Sequence, residues 1–239
     1  MKAFLLAAGK GTRLRPYTDH RPKCLMPIQG TPLLEIWIDL FKAHGIDRVL
    51  INTHHFAGQV EQAAESLRVE KGIDIKTVFE PELLGSGGTV LENEAFIGPG
   101  EDFLVAYADN LTDANLSAMT AFHQTRKAVG NVLTMGLFRT ATPRACGIAT
   151  LDAGGTVTVF EEKPENPVSD LANAGLYVAT YNFLKICREI RQTIPDRTFD
   201  LGFHVLPRLT GRMSGYEIKE YLLDIGTVAS YELALEQWS

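Results

Sequence analysis

The sequence predicts a mixed α/β protein with a mainly parallel, Rossmann-like sheet and helices on both faces. Three observations carry that reading. Strand-like and helix-like patterns alternate through the first half of the chain, which implies right-handed crossovers between parallel strands. The first strand-like run, Lys2-Ala3-Phe4-Leu5-Leu6-Ala7, is nearly all apolar, as a strand covered on both faces is, and it leads straight into a glycine loop. The 239 residues are 45% apolar and 22% charged, which suits a globular protein with a substantial core and argues against disorder.

The elements follow in order. Leu33 to His44 is amphipathic and ends at Gly45, a helix stop. Arg48 to Thr53 is a β-branched apolar strand, residues 57–70 are helical, and Asp74 to Phe79 is a third strand. Residues 87–95 can start a helix, Phe103 to Ala106 is a fourth strand, and Asp113 to Lys127 a helix. The second half reads differently. Val132 to Phe138, Ile148 to Leu151, Thr156 to Phe160 and Gly175 to Ala179 are strand-like with short turns, Asp152-Ala153-Gly154-Gly155 among them, and predict an antiparallel excursion. Residues 181–192, 199–209 and 228–237 read as helices, the second bent before Pro207. No repeat, low-complexity segment or long linker interrupts the chain. One continuous domain, residues 1–239, is expected, its two parts meeting at about residue 130.

Several classes are disfavoured. No apolar run approaches the ~20 residues that cross a bilayer, and the amino-terminal apolar stretch is too short for a signal peptide. Cys24, Cys146 and Cys187 are widely spaced and read as free thiols, so a reducing cytoplasm is the expected location. A pI near 5.5 gives no support for nucleic-acid binding.

Chemistry concentrates near the amino end. Lys10, Arg13, Arg15, Arg21 and Lys23 stand against one acid, Asp19, a local charge of +4 in a chain of net charge −6. Glycine-loop amides beside cations, beyond the carboxyl end of a first strand, suit a polyphosphate. A Walker loop is excluded, because Lys10 lies between the glycines and no Gly-Lys-Ser/Thr follows. The dinucleotide fingerprint is excluded because its third glycine position holds Leu14. Asp109, after the fourth strand, is placed either to hold Mg²⁺ against phosphate oxygens or to cap a turn.

Gly9-Lys10-Gly11-Thr12-Arg13-Leu14-Arg15-Pro16, followed by Pro22-Lys23-Cys24-Leu25-Met26-Pro27, resembles the signature of the sugar-1-phosphate nucleotidylyltransferases. The motifs are most similar to those of guanylyltransferases for mannose-1-phosphate or manno-heptose-1-phosphate. The resemblance runs from Met1 to about Glu236. It implies a nucleotide-diphospho-sugar transferase fold, with a nucleotide part over about 1–130 and a small antiparallel sugar-side lobe over about 131–239. With so few residues after the last helix, the β-helix tail of some relatives is not expected in this sequence.

The reaction so implied is attack by a sugar-1-phosphate oxygen on the α-phosphorus of a nucleoside triphosphate, with loss of pyrophosphate. The nucleophile is already an anion. In-line placement and charge neutralisation are what a protein must supply, and no Ser-His-Asp arrangement is needed. By the match, Leu6, Ala8, Gly9, Gly11 and Thr12 line the nucleotide, and Arg13 grips the β- and γ-phosphates with its planar fork. Lys23 reaches the α-phosphate and the sugar phosphate. Asp109 and Asp224, the latter in Asp224-Ile225-Gly226-Thr227, hold Mg²⁺. Ala108 stands where relatives usually have glycine.

By the same resemblance, Glu162 and Lys163 in Glu161-Glu162-Lys163-Pro164 meet the sugar hydroxyls and phosphate, whereas read alone the run is a solvated turn. Asn173 and Gly147 line the sugar, and Cys146 stands where relatives have an aromatic residue. Glu80 and Gly85 lie in a stretch that resembles the family's nucleotide-reading segment. An ionised carboxylate only accepts hydrogen bonds, which suits guanine's adjacent N–H donors and ranks GTP above UTP and dTTP. Glu80 and Glu82 as solvent-facing residues are the alternative, and a non-catalytic nucleotide-sensing relative is another. His54 and His55 read as strand-end residues. Residues 199–209 line the sugar pocket or an interface between copies, and the sequence leaves assembly into homo-oligomers open.

Overall fold

A computed structural model describes residues 1–238. Strand β1 (Lys2–Leu6) leads through a loop to a short hairpin, β2 (Pro27–Ile28) and β3 (Thr31–Pro32), and then to helix α1 (Leu33–Ala43). Next come β4 (Arg48–Thr53), α2 (Ala57–Lys71), β5 (Asp74–Phe79), α3 (Ser86–Glu92), β6 (Phe103–Tyr107), β7 (Asn110–Thr112) and α4 (Leu116–Lys127). The chain continues through β8 (Leu133–Arg139), β9 (Gly147–Leu151), β10 (Val157–Glu162), β11 (Leu171–Ala179), α5 (Tyr181–Arg191), β12 (Met213–Glu217), β13 (Leu222–Asp224) and α6 (Val228–Gln237).

These elements divide into two compact units. The division does not fall at residue 130. The first unit holds Met1–Leu83, Ala106–Ala114 and the segment from Glu220 onward, and the second holds Leu84–Val105 and Asn115–Lys219.

In the first unit β1 pairs parallel with β4, and β4 with β5. Ala3, Phe4, Leu5, Val49, Leu50 and Ile51 are fully buried, which is why the runs are continuously apolar rather than alternating. Helix α1 adds Leu34, Trp37, Ile38 and Phe41 to this core at helical spacing. The late strand β13 pairs antiparallel with β7 and sets Asp224 opposite Asn110. Helix α6 then starts on a reciprocal cap between Thr227 and Ser230. The expected helix start at Asp113 is corrected to Leu116. Asn110–Thr112 are a strand, Asp113 Oδ1 accepts the Tyr221 N–H at 2.8 Å, and Asn115 caps the helix through Ala118 N–H at 2.9 Å.

In the second unit β11 pairs antiparallel with β8 and with β9, β9 with β10, and β12 runs parallel to β8. Strand β11 begins at Leu171, earlier than the expected Gly175, and its register with β8 shifts between Asn173 and Tyr177, where Gly175 has φ +63°. The helix expected over 199–209 is present from Leu201, as a five-residue π-helical turn, Leu201–Val205, followed by a 3₁₀ helix, Leu206–Leu209, and it changes type just before Pro207. Phe199 is instead tied to the segment before α3: its N–H donates to Leu84 O at 2.8 Å, and its carbonyl accepts Gly88 N–H at 2.8 Å. A Cβ on Gly85 (φ +81°) would lie 2.7 Å from that carbonyl oxygen, so the close approach needs glycine.

Candidate active site

The glycine loop that leaves β1 is anchored at both ends. Ala7 N–H donates to Asn52 Oδ1 at 2.7 Å, and Gly11, at φ +63°, turns its carbonyl to accept the Thr18 hydroxyl at 2.7 Å. Leu14 is fully buried while Thr12 and Arg13 are exposed, so the apolar residue anchors a turn whose cation faces outward. At Gly9 a Cβ would meet nothing within 4 Å, which leaves the backbone open to close approach.

The charged centre forms where β7 meets β13. Ala108 N–H donates to Leu6 O and Ile225 N–H to Asp109 O, each at 3.0 Å, which ties the two residues after β6 to the end of β1 and to the residue after β13. Between the two aspartates lies Lys23. Its Nζ donates to Asp109 Oδ2 at 2.8 Å and to Asp224 Oδ1 at 3.1 Å, and its side chain is only 9% exposed, against 38% and 51% for the carboxylates. A Cβ on Gly226 would lie 2.8 Å from Asp224 Oδ1 and 3.1 Å from Arg13 Nη2, so this glycine admits the guanidinium beside the carboxylate. Desolvation and the negative charge of Asp109 raise the pKa of Asp224, while Lys23 and Arg13 pull it down.

Arg13, Lys23, Asp109 and Asp224 are thus brought together from four separate segments. Among the described residues no cluster of three or more His, Cys, Asp or Glu could hold a metal. A pair of carboxylates suits an ion that keeps phosphate and water as its other ligands, as Mg²⁺ does. Burial pushes the Cys24 thiol up to about 12, which makes it a packing group and no nucleophile.

Glu80 closes β5 and is buried, 3% exposed. Asn52 Nδ2 donates to its Oε1 at 2.9 Å, and the His54 ring Nδ1 donates to its carbonyl at 2.8 Å. The solvent-facing alternative is therefore overturned for Glu80 and holds for Glu82. Ala7 fixes the Asn52 amide, which points its NH₂ at position 80 and demands an acceptor there. His54 and His55 sit just past β4, as read from the sequence.

In the second unit the Glu162 carboxylate is wedged between two glycines. A Cβ on Gly147 would lie 2.5 Å from its Oε2, and one on Gly202 2.7 Å. Desolvation first, then Asp200, raises the Glu162 pKa against the lowering effect of Lys163. Lys163 has φ +52°, its N–H donates to Cys146 O at 3.0 Å, and its Nζ lies 5.7 Å from the Phe203 ring centre. The Asn173 amide is engaged within its own strand, donating to Tyr177 Oη at 2.7 Å and accepting Gly175 N–H at 3.0 Å.

The profile for the nucleotidyl transferase family matches residues 2–238. The chain belongs to that family. It is 30% identical to the UTP–glucose-1-phosphate uridylyltransferase of Synechocystis sp. over 98% of this chain and 62% of that protein. It is 32% identical to the mannose-1-phosphate guanylyltransferase of Mycobacterium tuberculosis over 94% of this chain and 61% of that protein. The chain thus spans about three fifths of the length of these relatives. A solved UDP-glucose pyrophosphorylase complexed with UDP-glucose superposes with a TM-score of 0.82 at 23% identity, over 99% of this chain and 97% of that one. That likeness shows the nucleotide-diphospho-sugar transferase fold. Among the described residues no helix is long and apolar enough to cross a membrane.

Sequence reading missed the supports. Asn52 and Thr18 belong to no motif that marks them, and Gly226 lay inside a quoted motif without a role. Asp200 does carry an aspartate N-cap signal ahead of its turn.

Proposed function

We propose that the chain transfers a nucleoside monophosphate from a nucleoside triphosphate to a sugar 1-phosphate and releases pyrophosphate, with Mg²⁺ as the divalent ion. The supporting observation is Lys23 held 2.8 and 3.1 Å from Asp109 and Asp224, with Arg13 beside Asp224 and the glycine loop adjoining. Asp109 and Asp224 would hold Mg²⁺, which supplies positive charge against triphosphate oxygens. The loop amides bind the phosphates, Arg13 grips two of their oxygens as a fork, and Lys23 shares its charge between the aspartates and the incoming anions. No residue is required to remove a proton, because a sugar phosphate already carries negative charge. Glu162 accepts from sugar hydroxyls, and Lys163 neutralises the sugar phosphate.

For the base we favour guanine, and for the sugar a manno-configured one. The buried Glu80 carboxylate suits guanine's N1–H and N2–H₂ donors, whereas uracil and thymine present carbonyl oxygens on either side of one N–H. The curated relatives include both a uridylyltransferase and a guanylyltransferase, so the base is read from Glu80 alone. The test is a matrix of four nucleoside triphosphates against mannose-, heptose-, glucose- and amino-sugar 1-phosphates with Mg²⁺, read by pyrophosphate release. GTP with a manno-configured sugar phosphate is expected to be fastest. Faster turnover with UTP or dTTP refutes the argument from Glu80, and silence across the panel favours a nucleotide sensor.

A further inference from the structure

Phe203 is a large apolar side chain left 53% exposed, and it sits on the π-turn Leu201–Val205. The turn is pinned. Asp200 Oδ1 accepts Gly202 N–H at 2.8 Å and Phe203 N–H at 3.3 Å, while its Oδ2 accepts the Ser86 hydroxyl at 2.9 Å. Ser86 Oγ in turn accepts Leu201 N–H at 2.8 Å, and Asp200 N–H donates to His204 Nδ1 at 2.8 Å. An aromatic ring on a fixed backbone loses little freedom on contact, so its exposed face is preorganised for a ligand.

Its neighbours say which ligand. The preceding residue, Gly202, lies against the Glu162 carboxylate, where a Cβ would come within 2.7 Å of Oε2. The Lys163 ammonium lies 5.7 Å from the Phe203 ring centre, within reach of the ring's negative face. Cys146, whose carbonyl accepts Lys163 N–H at 3.0 Å, contributes only a small side chain here. A carboxylate acceptor, an ammonium and an apolar plate therefore converge in one unit. Those are the three chemistries a phosphorylated pyranose presents a need for: hydroxyl donors, a phosphate and a C–H face.

We propose that Phe203 is a specificity-determining residue of this site, and that its ring takes the C–H face of the pyranose of a sugar 1-phosphate. This rests on the reading of Glu162 and Lys163 as the sugar-phosphate groups. Binding draws the Lys163 ammonium toward the phosphate and leaves the ring face to the sugar.

The test measures KM for the sugar 1-phosphate and for the nucleotide separately, with the oligomeric state by light scattering, for wild type, Phe203→Ala, Phe203→Leu and Phe203→Tyr. Loss of one aromatic contact is expected to raise the sugar-phosphate KM of Phe203→Ala by about tenfold, with the nucleotide KM held to within about twofold. Phe203→Tyr restores the wild-type value, and Phe203→Leu, apolar but without a ring, stays impaired. An unchanged sugar-phosphate KM in Phe203→Ala, equal rises in both KM values, or full activity in Phe203→Leu overturns the proposal. So does a changed oligomeric state with unchanged KM, which makes Phe203 an interface residue. A wild-type chain that turns over no sugar 1-phosphate defeats the reading of Glu162 and Lys163 itself. Turnover that is indifferent to residue 203 defeats only the role of Phe203.

Discussion

Replacing Lys23 by methionine keeps much of its stem and removes its charge from between Asp109 and Asp224. At 2.8 Å a unit pair is worth about 6 kcal/mol at an effective dielectric of 20 and about 1.5 kcal/mol at 80. Both carboxylates are more than a third exposed, so solvent screening favours the lower figure. Two contacts, less the cost of desolvating an ammonium, leave a destabilisation of about 2 kcal/mol. For a chain of this length that lowers Tm by roughly 4–8 °C.

The same variant leaves two adjacent carboxylates without their cation, so a divalent ion should stabilise it more than wild type. At 10 mM MgCl₂ a site of about 1 mM affinity gains about 1.4 kcal/mol, a recovery of roughly 3–6 °C. The assay is a thermal melt against MgCl₂ without nucleotide, with pyrophosphate release in parallel. The variant should regain stability in Mg²⁺ while remaining inactive, and wild type should shift less. Equal Mg²⁺ shifts in the two proteins would refute the placement of the ion at Asp109 and Asp224.

Arg13→Lys keeps the charge and loses the fork. It should cost about 100-fold in kcat, in the range of one lost transition-state donor, with Tm unchanged because Arg13 is exposed; an effect under about threefold would make Arg13 a distant countercharge. Asp109→Asn should abolish Mg²⁺-dependent turnover with little loss of folding. It should also lower the Asp224 pKa, since the Asp109 charge is among the causes that raise it, and a titration of the Asp224 carboxyl by NMR checks this. Glu162→Gln tests a raised carboxylate. Burial lifts the folded-state pKa of Glu162, so the stability its protonated form contributes is present below the unfolded pKa and is lost as pH rises through the folded one. The Gln variant should melt higher than wild type at pH 8, match it near pH 4, and show a raised sugar-phosphate KM. Parallel melting curves at all pH values would contradict the burial argument.

What the sequence made legible is what has a period. Strands β1 and β4 are covered on both faces, so their apolar runs stand out, and α1 shows its buried stripe and its glycine stop. The short strands β2, β3, β7 and β13 have two or three residues each, too few for any alternation, and β7 and β13 exist only because they pair with each other from distant parts of the chain. That is also why α4 starts late: Tyr221, far along the chain, claims Asp113. Residues 199–209 read as helical and are so from Leu201, but their helix type was not legible: Pro207 donates no hydrogen bond, and the Phe199 backbone pairs with Leu84 and Gly88, which delays the start.

For the site, the motif pointed to Arg13, Lys23, Asp109 and Asp224, and the structure groups all four. It did not show that Lys23 would bridge the two aspartates, because that contact depends on the β7–β13 pairing. Asn52 was invisible for a similar reason. Its amide matters only once β1 and β4 lie side by side.

The most direct measurement is a crystal structure of the chain with a non-hydrolysable guanosine triphosphate analogue and Mg²⁺. The triphosphate should lie along the Gly9–Thr12 amides and Arg13, with the ion on Asp109 and Asp224 and the base near Glu80. A triphosphate bound elsewhere, or an ion that touches neither aspartate, would contradict the assignment of this centre to nucleotidyl transfer.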